Sequence, residues 1–409
     1  MQHSTASFSL AQKTEPFIFD VDSLFYHLDC LTDRRKPKGV RYPLAVALVF
    51  IILAKLAGED EPEGMAHWTS LRKQMLIQAL RLQRDTTPHA STFSRILGQA
   101  VVVEELQQAV TRFLLSTVEG GLSVELSIDG KTLRGTIPPG KTQGVHLLAA
   151  YLPGEGIVLM QVEVGCKENE IVAAPKVLKS LDLKGKVVTG DAMFAQHELS
   201  KLVVEQGGEY VWTVKDNQAS LRAEIEAAFE IEEGKTALSA MKNDFTRAQT
   251  VEKGHGRIEA RRLTATSQMK GDLPWPYLEQ VLKIERQVED LSSGKQRREV
   301  SYGVSSLTTE EASASRLMEI VRGHWGIENG LHYRKDKTLG EDGCRLKRGE
   351  AAQAMAVINN LVVGLVLWQG SKNLAAARRH YNAYPLEALN LILRRRPDVW
   401  TQLKCGEWE

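Results

Sequence analysis

Residues 123–136 read SVELSIDGKTLRGT, and the fold turns on how they are read. Val124, Leu126 and Ile128 alternate with polar residues, the period-2 signature of a half-buried strand. The alternation stops at Asp129-Gly130. A second stretch ends alike: Lys186 to Thr189 is a short apolar strand that runs into Gly190-Asp191.

Working outward, His146–Tyr151 and Ile157–Val164 read as strands around the turn Leu-Pro-Gly-Glu-Gly at 152–156. Helical periodicity covers Glu170–Leu181, Gln196–Glu205 and Ser220–Phe229, and Tyr210–Val214 reads as a further strand. The order β-β-β-α-β-α-β-α is that of an RNase H-like mixed sheet. In it the first and fourth strands lie side by side and parallel, so Asp129 and Asp191 would emerge together at carboxyl ends, where open α/β sheets place their sites.

The flanks complete an α/β chain with a small all-helical domain in front and a β-rich insertion. Residues 1–118 read as helical: Pro43 suits a first turn, Leu44–Leu56 is a core helix stopped by Gly58, and Ala66–Leu82 and Ser91–Leu97 follow. The RNase H-like core then occupies 119–234 and 313–370. It is interrupted at 235–312 by strand-like runs Arg257–Thr264, Gln280–Arg286 and Glu299–Val304, and followed by a helical tail at 371–409. Helical patterns at Ser313–Lys337 and Gly349–Trp368 close the core.

Bulk composition excludes little. With 409 residues, 43% hydrophobic and 25% charged, the chain is ordinary globular protein, and a formal net charge of +1 announces no nucleic-acid field. Four cysteines (Cys30, Cys166, Cys344, Cys405) lack metal or disulfide spacing. The start, MQHSTASFSLAQKTEPF, has no signal-peptide core. A cytoplasmic protein with no membrane contact is the expectation.

A third acid lies in HWGIENGLHYRK, residues 324–335. On a regular helix His324, Glu328, His332 and Lys335 share one face. Two aspartates and a glutamate suit hard divalent cations such as Mg²⁺. Two metals gripping the attacking and leaving oxygens are what phosphodiester displacement needs. His324, Glu328 and His332 also read as a zinc face, but the H-E-x-x-H pattern is absent and the Asp pair favours a hard ion. A chain with 51 acidic residues offers many such triplets, so spacing alone does not select this one.

The motifs do. GVRYPLAVALVFIILAKLAGED, LSIDGKTLRGT, VHLLAAY, KENEIVAAPKVLKSLDLKGKVVTGDAMFAQ, GGEYVWTVKDNQASL, EKGHGRIEARR, RGHWGIENGLHY and GEDGCRLKRGEAAQAMAVINNL span nearly the whole chain. Together they resemble the H-repeat-associated group of bacterial insertion-sequence transposases, which carry a DDE catalytic domain. The resemblance implies that Asp129, Asp191 and Glu328 are the catalytic residues and metal ligands, with two Mg²⁺ or Mn²⁺ ions per site. It implies cleavage at transposon ends and transfer of the freed 3′-hydroxyl to target DNA, by a homodimer or larger assembly on DNA at the bacterial nucleoid. A domesticated or inactive DNA-binding relative, or an RNase H-like nuclease that cuts without joining, are the alternatives. One departure is visible: a related Tyr-x2-Arg-x3-Glu-x6-Lys signature would place Tyr and Arg where this chain has Val321 and His324, while Lys335 fits.

DNA contacts are expected from Lys131 and Arg134 after the first acid, and from Lys215, Asn217 and Gln218 after the fifth strand. His324, His332 and Lys335 beside Glu328 join them, as do Arg345 and Arg348. Residues 88–97 read as the second helix of a helix-turn-helix, with Ser91, Thr92, Ser94 and Arg95 reaching DNA, or as a capped core helix with a polar face. The run Asp33 to Arg41 concentrates positive charge in a loop.

Overall fold

The computed structural model of the chain describes residues 23–118, 122, 124–165, 168–233, 244–254 and 256–393. The readings made on the first residues, Ser123, Cys166, His255, Cys405 and the end of the tail lie outside them. Cys30 and Cys344 are free thiols.

Six helices come first: α1 (Leu24–Asp29), α2 (Leu44–Leu56), α3 (Pro62–Leu71), α4 (Lys73–Ala79), α5 (Ala90–Arg95) and α6 (Val103–Leu115). α2 has the bounds its sequence predicts, with Pro43 as the capping residue rather than in the first turn. Every residue of α2 is buried, as an all-round apolar helix must be. The single helix expected over 66–82 is broken at Arg72, which leaves helical geometry. Its guanidinium lies over the Trp68 ring and donates to Asn382 Oδ1 at 2.8 Å, so a tertiary anchor overrides local periodicity. After α5 the backbone widens into a π turn at Ile96–Ala100.

The sheet begins with β1 (Glu125–Thr132), β2 (His146–Leu152) and β3 (Ile157–Val164), then α7 (Glu170–Lys179), β4 (Val187–Gly190), α8 (His197–Glu205), β5 (Glu209–Val214) and α9 (Ala219–Glu233). β1 pairs antiparallel with β2 and parallel with β4, and β4 pairs parallel with β5. That is the RNase H-like arrangement the element order predicts. β1 is longer than its alternation suggests, continuing to Thr132 through backbone bonds to β2, whereas its pairing with β4 ends at Ile128 opposite Gly190.

Four long strands follow: β6 (Thr246–Gly254), β7 (Arg257–Thr266), β8 (Gln280–Asp290) and β9 (Gln296–Ser305). They do not make a second sheet. β9 pairs with β5, and the nine strands run in the order β3-β2-β1-β4-β5-β9-β8-β7-β6. The inserted segment therefore widens the core sheet from five strands to nine. β6 escapes sequence reading because it is an edge strand, mostly exposed, with no apolar alternation.

The chain returns through α10 (Ala314–Gly326), a π turn at Ile327–His332, α11 (Tyr333–Lys337), α12 (Ala351–Trp368), α13 (Leu374–Ala383) and α14 (Pro385–Leu393). α7, α8 and α9 share a core with one face of the sheet, containing Ile128, Val188, Phe194 and Trp212. The largest core merges α1, α2 and α6 with α12, α13, α14 and residues Ala149, Tyr151, Ile157 and Val158 of β2 and β3. The leading helices are thus not a free-standing layer. Among the described residues α12 is long and apolar enough to cross a membrane, and 83% of it is buried within the fold.

Candidate active site

Asp129 and Asp191 stand next to each other because of strand register. Ile128 faces Gly190 in the last parallel pair, so the next residue on each strand is an acid. Gly190 fits there only without a side chain, since a Cβ would stand 2.7 Å from the Phe194 ring and 3.1 Å from Ile128. The two aspartates differ in setting. The Asp129 side chain is 18% exposed and its Oδ1 accepts the Gly130 N–H at 2.9 Å, while Asp191 is 57% exposed.

Alternation places Ser127 on the Asp129 side of β1 and Thr189 on the Asp191 side of β4. These buried hydroxyls face each other across the strand pair at 3.1 Å. Thr189 Oγ1 also stands 3.3 Å from His324 Nδ1 at the end of α10, which anchors the imidazole above the sheet. His324 Nε2 lies 4.0 Å from Asp191 Oδ1. Burial pushes its pKa below the usual histidine value against the pull of Asp191 and Asp129, with Lys215 adding to the downward push, so the ring is neutral near pH 7.

His332 approaches from the other side. Its Nε2 is 3.3 Å from Asp129 Oδ2, without hydrogen-bond geometry, and both ring nitrogens are buried with no partner. Leaving such atoms unsatisfied costs about 1–3 kcal/mol each, a cost that points to a ligand.

Glu328 sits in a stretch where the helix is not regular. Tyr333 N–H donates to the Glu328 carbonyl across five residues, so the helix is widened here into a π turn and the regular spacing that would align four side chains fails. His324 and His332 face the aspartates, Lys335 is buried behind them, and Glu328 is exposed on a turn that packs against β1. Among the described residues no three His, Cys, Asp or Glu side chains stand at metal-ligand spacing. The adjacent carboxylates do fit the oxygen donors that a hard divalent ion takes.

Two lysines expected at DNA are corrected by burial. Lys131 donates to Asp336, to Glu341 at 2.9 Å and to Asp342 at 3.3 Å. Lys335, 2% exposed, pairs with Glu341 at 3.2 Å, and Asn359 donates to the same carboxylate at 2.9 Å. Burial would raise the Glu341 pKa, but Lys335 and Lys131 outweigh it and hold the carboxyl at about 2. The cluster ties β1, α11 and α12 together immediately behind Asp129. Asn217 and Gln218 are likewise occupied: they donate to the Ala192 and Ala195 carbonyls at 2.6 and 3.0 Å, pinning the turn after Asp191. Lys215 is exposed beside the site, and Arg134 is exposed at 3.5 Å from Asp342.

The remaining basic residues lie on a surface beyond the pocket. Arg345 and Arg348 are exposed on the loop before α12, and Arg95 is exposed at the end of α5. α5 is a short capped helix, with His89 accepting the Ser91 N–H at 3.2 Å and Phe93 in the core, followed directly by the π turn. Sequence reasoning missed Ser127, Thr189, Glu341 and Asn359. Ser127 and Thr189 each lie two residues before an expected site aspartate, but a buried hydroxyl in a strand carries no mark of its partner across the sheet.

A parallel strand pair tipped by two acids, in a mixed sheet flanked by helices, defines an RNase H-like fold. The family model described as the transposase DDE domain matches residues 121–365, and a companion model associated with that domain matches 25–114. The chain belongs to the transposase DDE-domain family; it is a DNA transposase, an endonuclease acting on DNA. The H repeat-associated protein YhhI of Escherichia coli (strain K12) is 26% identical over 355 residues, covering 85% of this chain and 91% of its own length. YbfL of the same strain shows the same identity and coverage. A solved piggyBac transposase synaptic complex with hairpin DNA is similar at 12% identity and a TM-score of 0.42, over 88% of this chain and 76% of that one.

Proposed function

We propose that Asp129, Asp191 and Glu328 hold two divalent ions, Mg²⁺ or Mn²⁺, and that the chain uses this one site both to cut transposon ends and to join them to target DNA. The observation that carries the reading is the Ile128–Gly190 register, which sets two carboxylates side by side at the mouth of the sheet. Bound ions would supply charge stabilisation for the attacking and leaving oxygens. The protein's own groups position them: Asp129 is fixed through Oδ1, and neutral His324 is held by Thr189 beside Asp191. His332 turns its unpartnered Nε2 toward Asp129, and Glu328 comes from the turn packed on β1.

In the first step a water oxygen attacks the phosphorus at the transposon end, the bond to O3′ breaks, and O3′ leaves as a hydroxyl. In the second that hydroxyl attacks a target phosphodiester, and one phosphorus–oxygen bond forms as one breaks, so no energy source is needed. Two ends must be brought together, which calls for at least two copies of the chain on DNA. The bacterial cytoplasm, at the nucleoid, is where these substrates meet.

Supplying a pre-cleaved 3′-hydroxyl end with a target duplex and Mg²⁺ tests the reading. Joined product is expected. Hydrolysis of both DNAs without any joined strand would make the chain a nuclease and overturn the proposal.

A further inference from the structure

Three basic segments, far apart in sequence, meet at one line. Gly98, in the first π turn, touches the loop before α12 backbone to backbone: a Cβ on Gly98 would stand 2.3 Å from the Arg348 carbonyl, and one on Gly349 2.1 Å from the Gly98 carbonyl. Gly349 is also held at φ +51°, and Glu350 N–H donates to the Gly98 carbonyl at 3.4 Å. The third segment joins through Arg34, whose N–H donates to the Ala100 carbonyl at 3.0 Å and whose guanidinium pairs with Glu350 at 2.7 Å. Backbone contact this close leaves the segments no freedom to separate, so the seam is preformed.

Its exposed charge is mostly positive, with Glu105 held against the Thr32 N–H at 2.7 Å as an acid at its border. Asp33 and Glu350 are each neutralised by an arginine of the seam itself, Arg35 and Arg34. Lys36, Lys38 and Arg41 on one side and Arg345, Lys347 and Arg348 on the other are exposed. Among the described residues none of the six has a carboxylate within ion-pair distance. Arg95 extends the row from the end of α5. In a chain whose net charge is only +1, such a row is local placement rather than a basic composition.

The seam also leads to the acids. Arg345 directly follows Cys344, whose carbonyl packs 2.1 Å from where Gly135 would carry a Cβ, and Gly135 lies on the loop that leaves β1 after Asp129. Exposed guanidinium and ammonium groups in a rigid row, continuous with a phosphodiester-cutting pocket, match the repeating charge of a duplex backbone.

We propose that this seam is the track for double-stranded DNA flanking the active site, binding it through phosphates without reading sequence. The inference rests on the transposase reading of the acid pocket. It is tested with a short mixed-sequence DNA duplex in chelator, so that no cutting occurs, by measuring affinity over a salt series. The triple variant Arg345→Gln/Lys347→Gln/Arg348→Gln is expected to bind about tenfold or more weakly and to flatten the log–log salt slope by about 2–3, near 0.9 per lost phosphate contact. The set Lys36→Gln/Lys38→Gln/Arg41→Gln, on a different segment, is expected to do the same. Lys253→Gln/Arg297→Gln, exposed on the far strands of the sheet, is expected to leave the slope unchanged. Either seam set keeping the wild-type slope while melting like wild type overturns the proposal, as does an equal loss in the far-strand variant. Wild type that binds no duplex overturns both this surface and the transposase reading; wild type that binds while the seam variants bind equally overturns the surface alone.

Discussion

Thr189 shows how a small side chain governs the site. Its hydroxyl faces Ser127 across β1 and β4 and stands at the inner nitrogen of His324, so it couples the strand pair to the roof helix. Thr189→Val keeps shape and removes the hydroxyl. Losing one such bond is worth about 1 kcal/mol, so cleavage is expected to slow about fivefold with DNA affinity unchanged, as single-turnover kinetics and duplex binding would show. Gly190→Ala acts by sterics: the Cβ meets Phe194 and Ile128, and overpacking of this kind costs about 1–3 kcal/mol, read as a lower denaturant midpoint together with lost cleavage. Asp129 and Asp191 are marked in the sequence as the residues at which two short apolar strands end, and the motifs around them single them out among 51 acids. Thr189 is not, since a buried threonine in a strand looks like any other until its partner across the sheet is known.

At the scale of elements, the third acid sits in a widened helix that its sequence does not announce. A four-residue period aligns His324, Glu328, His332 and Lys335, but the Ile327–His332 segment bonds across five residues and redistributes them. Nothing in HWGIENGLHY marks that change of period. Just beyond it, α11 buries Lys335 against Glu341, in a cluster that ties α11 to β1 and α12. The Glu341 carboxyl titrates at about 2 in the folded chain, below its ordinary value of 4.5. The unfolded chain therefore binds more protons in acid, and the stabilisation, complete above pH 4.5, is lost as pH falls toward 2. Glu341→Gln is expected to cost about 3–5 kcal/mol at neutral pH by leaving the buried Lys335 ammonium without its carboxylate, Lys131 keeping Asp336 and Asp342, and to weaken the dependence of unfolding free energy on pH in that window. An unchanged acid profile in denaturant melts would show that the cluster carries no such load.

At the scale of the molecule, the expectation of a separate helical front domain meets one shared core. α2 is buried on all sides among α12, α13 and α14, and Lys55 and Arg378 both pair with Asp60, while Arg378 donates to the carbonyls of Lys55 and Thr338. A composition shift at Ser123 reveals where helices give way to strands, but not whether the two parts pack as one, because apolar faces do not name their partners. A fragment starting at residue 119 is expected to expose α12 and the outer face of β2 and β3 and to aggregate; a soluble fragment with a cooperative melt would contradict the shared core. The widened sheet has the same lesson, with strands read as an insertion adding to one continuous ladder through β5 and β9. The account as a whole rests on three acids serving one site. Its most direct test compares Mg²⁺-dependent cleavage of a transposon-end duplex by wild type, Asp129→Asn, Asp191→Asn and Glu328→Gln, with duplex binding in chelator measured alongside. Loss of cleavage in all three variants with binding retained is the expected result; cleavage at the wild-type rate by any one of them would contradict it.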